Sequence, residues 1–151
     1  MRCIVTGLLA CLLAATGARA QEWVAVDGDE DVILLVDQSS AKGDRNAVQF
    51  STLAVMRESG PNDDGINFDY LVSSGVFDCQ RVVYRFTRSS YFTLGRADAV
   101  ASHGHPDGWE TVEADTFASS AGELVCGLSE GETIKMAPEG LTRAFRANWP
   151  G

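Results

Sequence analysis

The chain has 151 residues, with 12 Lys+Arg against 21 Asp+Glu and a formal net charge of −9. This length suits one domain with a core of ordinary size. So acidic a surface repels nucleic acid and anionic lipid, which excludes both as main partners, and it attracts basic ones.

Residues 1–20 read as a signal peptide, with Arg2 as the positive end, Ile4 to Ala15 as a short apolar stretch and Ala18-Arg19-Ala20 as the small-residue cleavage pattern. Cleavage between Ala20 and Gln21 is expected, leaving residues 21–151 as a single domain. Arg2 and Arg19 leave with the leader, so Lys+Arg falls from 12 to 10 against 21 Asp+Glu and the net charge becomes −11. The apolar stretch is shorter than the roughly 20 residues a membrane span needs, and no later segment reaches that length. A soluble protein in the periplasm or beyond is therefore expected, with no membrane span. Leu8-Leu9-Ala10-Cys11 also fits a lipoprotein cleavage box, whose use would put a lipid anchor on Cys11.

Cys3 and Cys11 otherwise leave with the leader, and Cys79 and Cys126 remain. Outside the reducing cytoplasm two lone thiols tend to join. A bridge between them would contribute about 4 kcal/mol by chain-entropy arithmetic. Their spacing is not that of a redox pair, and two cysteines without a nearby histidine make a poor zinc site.

Val32 to Val36 is a continuous apolar run, suited to a strand covered on both faces. Asp37 to Asp44 is turn material. Val48, Phe50, Thr52, Ala54 and Met56 alternate with Gln49, Ser51, Leu53 and Val55 as a second strand. Ser59 to Gly65 reads as a loop. Ile66, Phe68, Tyr70 and Val72 line one face of a third strand. After Cys79, Val82, Tyr84 and Phe86 alternate with Arg81, Val83, Arg85 and Thr87. Ser89-Ser90 reads as a turn, and Tyr91 to Leu94 as a return strand ending at Gly95. Short connections between consecutive strands argue for an antiparallel meander.

Ala101 to Gly108 reads as a loop and Trp109 to Val112 as a short strand. Asp115 or Thr116 is placed to cap a helix over Phe117 to Cys126, with Phe117, Ala121, Leu124 and Leu128 on one stripe. Gly122 inside it favours a short helix, with Leu124-Val125-Cys126 extended. Leu141, Ala144 and Phe145 fall at helical spacing within the tail, which either docks as a small helix or stays loose.

The candidate chemistry is sparse. His103, His105 and Asp107 stand close enough in sequence to ligate a metal from one side, yet they lack a fourth ligand and also spell an exposed turn. Asn62-Asp63-Asp64-Gly65 matches part of a calcium loop, but Gly60 and Leu71 fall where the first and twelfth ligands belong. Asp27 to Asp31 reads as a solvated acidic loop. No serine sits in a nucleophile-elbow pattern. Arg81, Arg85 and Arg88, with Arg96 and Tyr91 nearby, form a basic stretch that would either bind an anionic partner or pair internally with the surplus acids. No catalytic residue, metal site or cofactor is assigned.

The order of landmarks resembles the surface-adhesin protein E family of small exported bacterial proteins. The matching features are Trp23, the strand and turn from Val32 to Ser40, and the strand from Val48. They continue with Phe77-Asp78-Cys79-Gln80-Arg81-Val82-Val83-Tyr84-Arg85, Tyr91 to Gly95, Trp109-Glu110-Thr111-Val112 and Leu124-Val125-Cys126, and cover roughly Trp23 to Gly127. The resemblance implies an antiparallel sheet with a helix, stapled by Cys79–Cys126, and adhesion to host matrix and plasma proteins. The tail from 128 to 151 looks like an addition to that core.

These readings give an α+β domain: an antiparallel meander, one short helix near the C-terminal cysteine and one disulfide. The leading function is a non-catalytic, exported, adhesin-like module binding extracellular or envelope proteins. The alternatives are a periplasmic inhibitor or stress protein acting on a basic enzyme, motivated by the net charge, and a metal-dependent enzyme built on His103, His105 and Asp107.

Overall fold

The computed structural model describes residues 21–149; the expected leader, with Cys3, Cys11 and Ala20, lies outside the described residues. The elements are β1 (Glu22–Gly28), β2 (Val32–Lys42), β3 (Val48–Pro61), β4 (Asn67–Asp78), β5 (Val83–Phe92), β6 (Ala101–Gly104), β7 (Glu110–Thr111), α1 (Phe117–Val125), β8 (Ile134–Lys135) and α2 (Pro138–Ala147). They form one antiparallel sheet in the order β6-β5-β4-β3-β2-β1-β8, with β7 also on β5. The expected meander is correct, with two helices rather than one.

The sheet is buried on opposite sides at its two ends. Val24, Val36, Val48, Phe50 and Phe77 pack under Ala121, Leu124 and Val125 of α1. Trp23, Ile33, Leu35, Leu53, Val55 and Tyr70 pack with Leu141 of α2. Successive strand residues point to opposite faces, so Trp23 and Val24, or Leu35 and Val36, serve different helices. This two-sided burial is why Val32 to Val36 is uniformly apolar. β3 changes the face it buries midway: Val48 and Phe50 lie under α1, Leu53 and Val55 under α2.

Several sequence readings are corrected. β1 is a strand beyond those the sequence pattern predicts: its ladder runs out to Asp27 and Gly28, opposite Leu34 and Ile33, and the hairpin tip begins at Asp29, which accepts the amides of Asp31 and Val32 at 2.8 and 2.9 Å. β2 continues through the supposed turn to Lys42, with the ladder irregular between Asp37 and Lys42. β3 continues to Pro61 through a bulge after Val55. Ser89-Ser90 is not a turn, because β5 runs unbroken and Ser89 pairs with Ser73. Both hydroxyls are buried and 2.8 Å apart, so these turn-favouring residues find partners inside the sheet. The return strand is β6, within the expected loop at Ala101 to Gly108, and the intervening turn uses Gly95 at φ +83°.

Leu124 and Val125 are helical rather than extended, and Cys126 caps the helix. Thr116 caps α1, its Oγ1 accepting from the Ser119 amide at 3.3 Å. The helix ends in a complete Schellman motif: Gly127 at φ +72° donates to Leu124 and Leu128 donates to Glu123 at 2.8 Å. Gly122 within the helix has a packing reason, because a Cβ there would lie 2.3 Å from the Phe77 ring. Gly122→Ala should therefore cost about 1–3 kcal/mol through overpacking, despite alanine's better helix propensity. Urea denaturation of the oxidised protein reads this directly.

The tail docks as a helix. Pro138 opens α2, Leu141 is fully buried, and the Trp23 indole Nε1 donates to the Met136 carbonyl at 3.1 Å. Arg146 donates to Asp69 Oδ1 at 2.6 Å and to the Met56 carbonyl at 2.9 Å. Asp69 is buried, which by itself would raise its carboxyl. The Ser59 hydroxyl, the Leu94 amide and Arg146 together outweigh burial and hold it below the usual carboxylate range. Its stabilisation is thus complete above about pH 4, the ordinary carboxylate value, and is lost as pH falls through the depressed folded value. Arg146→Met, which leaves that carboxylate without its cation, should cost about 3 kcal/mol near neutral pH and flatten the acid limb of stability. Thermal unfolding from pH 7 downward tests both effects.

Candidate functional site

Cys79, immediately after β4, is joined to Cys126, the C-terminal cap of α1, with Cα atoms 5.8 Å apart. The bond ties α1 to the end of the sheet where β4 turns into β5. Two of the four large exposed apolar side chains among the described residues, Val82 and Leu128, lie at this bond. Val82 has φ 54°, unusual for a β-branched residue, and its carbonyl accepts from the Val112 amide at 3.2 Å. β7 thereby closes against the start of β5.

Two cavities run along α1 on either side of residues 111–113. One, of about 220 Å³, lies against the disulfide and is lined by Phe77, Val82, Val112, Gly122, Glu123 and Leu128 among others. The second, of about 330 Å³, is lined by Tyr84, Glu110, Thr111, Glu113, Thr116, Phe117 and Ala118. Val112 lines the first, while Glu110, Thr111 and Glu113 line the second. Burial first, then the Glu110 hydrogen bond and the charges of Glu110 and Glu113, hold the Tyr84 phenol above its usual range.

Two arginines of the basic stretch pair with acids of the same chain. Arg81 Nε lies 2.7 Å from Asp78 Oδ2, and Arg85 pairs with Asp107. The Arg81–Asp78 pair also caps the hairpin: the Arg81 amide and side chain, with the Gln80 amide, hold Asp78 below the usual carboxylate range. Both guanidinium carbons sit near the Trp109 ring, at 5.0 and 5.3 Å from its centroid. Arg81 precedes β5 rather than sharing a strand face with Arg85. Arg88 and Arg96 form no ion pair among the described residues.

The histidine segment is dispersed. His105 Nε2 is 2.8 Å from Ser89 Oγ, His103 Nε2 is 3.4 Å from Asp64 Oδ2, and Asp107 goes to Arg85. Among the described residues no three His, Cys, Asp or Glu side chains are grouped to hold a metal. Asn62 folds its own turn, Oδ1 accepting the Asp64 and Ile66 amides at 3.0 and 2.9 Å. The sequence reading missed the cavities along α1. The exposure of Leu128, placed on the buried stripe by helical spacing, was not readable before the helix end was known.

No helix among the described residues is long and apolar enough to cross a membrane. The disulfide suits a chain exported from the cytoplasm. No curated protein and no solved structure matches the chain. The family model for surface-adhesin protein E matches residues 23–127, from the buried Trp23 to the glycine that ends α1. With its stapled meander and that match over most of its length, the chain belongs to the surface-adhesin protein E family.

Proposed function

We propose that this protein is an exported, non-catalytic binding module whose contact surface is the disulfide-stapled end and whose partners are extracellular or envelope proteins. The observation that carries the reading is the exposure of Val82 and Leu128 on the cleft at Cys79–Cys126, with Trp109 exposed against Arg81 and Arg85, in a family of adhesins. Tryptophan and arginine beside a small apolar cleft are the residue types that anchor protein contacts. The leader ending at Ala20 delivers the chain, and Gln21 begins the mature form. The reading involves no cofactor and no nucleic acid.

Surface plasmon resonance on a panel of immobilised matrix, plasma and envelope proteins tests it. Retention of the oxidised protein at micromolar concentration, lost after reduction of the disulfide, is expected. No retention across the panel rejects the adhesin-like function.

A further inference from the structure

We propose that the paired cavities along α1 dock a basic protein segment, with an aliphatic side chain entering the cavity beside the disulfide and a lysine or arginine reaching Glu110 and Glu113. This rests on the protein-binding reading above and names the chemistry of the partner.

The apolar half follows from how α1 ends. In a Schellman motif the residue after the glycine usually packs back on the helix five or six positions earlier. Here that residue is Leu128, and the positions it would meet are Glu123 and Gly122, so Leu128 finds no apolar side chain on the helix there and stands 71% exposed at the cavity rim. Val82 stands 51% exposed across the same cavity. Two exposed aliphatic residues flanking one cavity leave apolar surface that a partner's side chain would cover.

The charged half follows from the neighbouring cavity. Glu110 and Glu113 both line it, and neither forms a salt bridge with a described residue. Glu123 extends the same sign to the apolar cavity. Against a chain of net charge −9 the complementary partner is cationic, and the field of the whole molecule steers it in. A second copy is the poorer occupant. It carries the same net charge, and its Arg81 and Arg85 are already held by Asp78 and Asp107.

The test is heteronuclear NMR titration of the oxidised protein with three synthetic peptides. The first has a central leucine flanked by lysines, the second replaces the lysines by glutamate, and the third replaces the leucine by serine. The first peptide should shift amides at Val82, Val112, Gly122 and Leu128, and its binding should weaken between about 0.05 M and 0.5 M salt. Val82→Ser with Leu128→Ser should weaken it about tenfold, as should Glu110→Gln with Glu113→Gln. All four side chains are exposed, and unchanged spectra away from the cavities verify the fold of each variant. Equal binding of the glutamate peptide, shifts elsewhere on the sheet, or variants that bind like the parent overturn the inference. So does concentration-dependent self-association that these variants abolish. If proteins on the panel are retained while the peptides miss the cavities, the inference fails and the binding-module reading stands.

Discussion

Ending the chain at Gly127 is expected to abolish cooperative folding, although residues 23–127 hold every element that the family model matches. The reason lies on the face of the sheet opposite α1. Trp23, Leu35, Leu53 and Val55 have no measurable exposure, and Leu141 of α2 packs with them. Ile134, Phe145 and Trp149 border the same cluster. Without the tail this face would be laid open to water at about 25 cal/mol per Å² of apolar surface. The Asp69 carboxylate would also lose Arg146, and the Trp23 indole its carbonyl acceptor. Together these losses are comparable with the about 5–15 kcal/mol by which domains are stable. The gentler variant Leu141→Ala should cost about 2–5 kcal/mol, because it leaves a cavity between helix and sheet. Near-UV circular dichroism through a thermal scan distinguishes the outcomes. A truncated protein melting where the full chain melts would show that α2 is an ornament on the sheet.

Loss of the disulfide should be nearly as severe. Cys79 and Cys126 close a loop of 47 residues, for which chain entropy predicts about 4 kcal/mol. That loop contains β5, β6, β7 and α1, so the unfolded chain gains freedom in almost a third of its length when the bond is absent. The double variant Cys79→Ser with Cys126→Ser should shift the denaturant midpoint strongly downward and raise the m-value, because the uncrosslinked unfolded chain exposes more surface. α1 itself is only nine residues long, too short to persist alone in water. Its packing on Phe77 through Gly122 and its tether at Cys79 are what keep it in place. A reduced protein with an unchanged midpoint would contradict this account.

The parts of the fold that were legible in the sequence are those set by local pattern. The apolar run at Val32 to Val36, the alternation from Val48 and the helical spacing of Leu141, Ala144 and Phe145 each reflect one element's burial. The cysteine pairing was legible because only Cys79 and Cys126 follow the expected leader. What escaped notice depends on partners distant in the chain. Ser89 reads as a turn residue until Ser73 and His105 are seen to satisfy its hydroxyl inside the sheet. Gly122 reads as a helix breaker until the Phe77 ring is seen against it. The cavities along α1 draw on Phe77, Val82, residues 110–113 and Leu128, which only the folded chain brings together. The basic stretch was legible as residues, and its internal pairing with Asp78 and Asp107 was one of the two outcomes weighed.

The account depends most on a chain that leaves the cytoplasm and is then closed by one bond between its middle and the end of α1. Intact-mass analysis of protein recovered from its native location, alkylated without prior reduction, tests this directly. It should find a chain beginning at Gln21, two hydrogens lighter than its reduced form and carrying no alkyl group. A chain that retains residues 1–20, one lipidated at Cys11, or one alkylated at both Cys79 and Cys126 would contradict it.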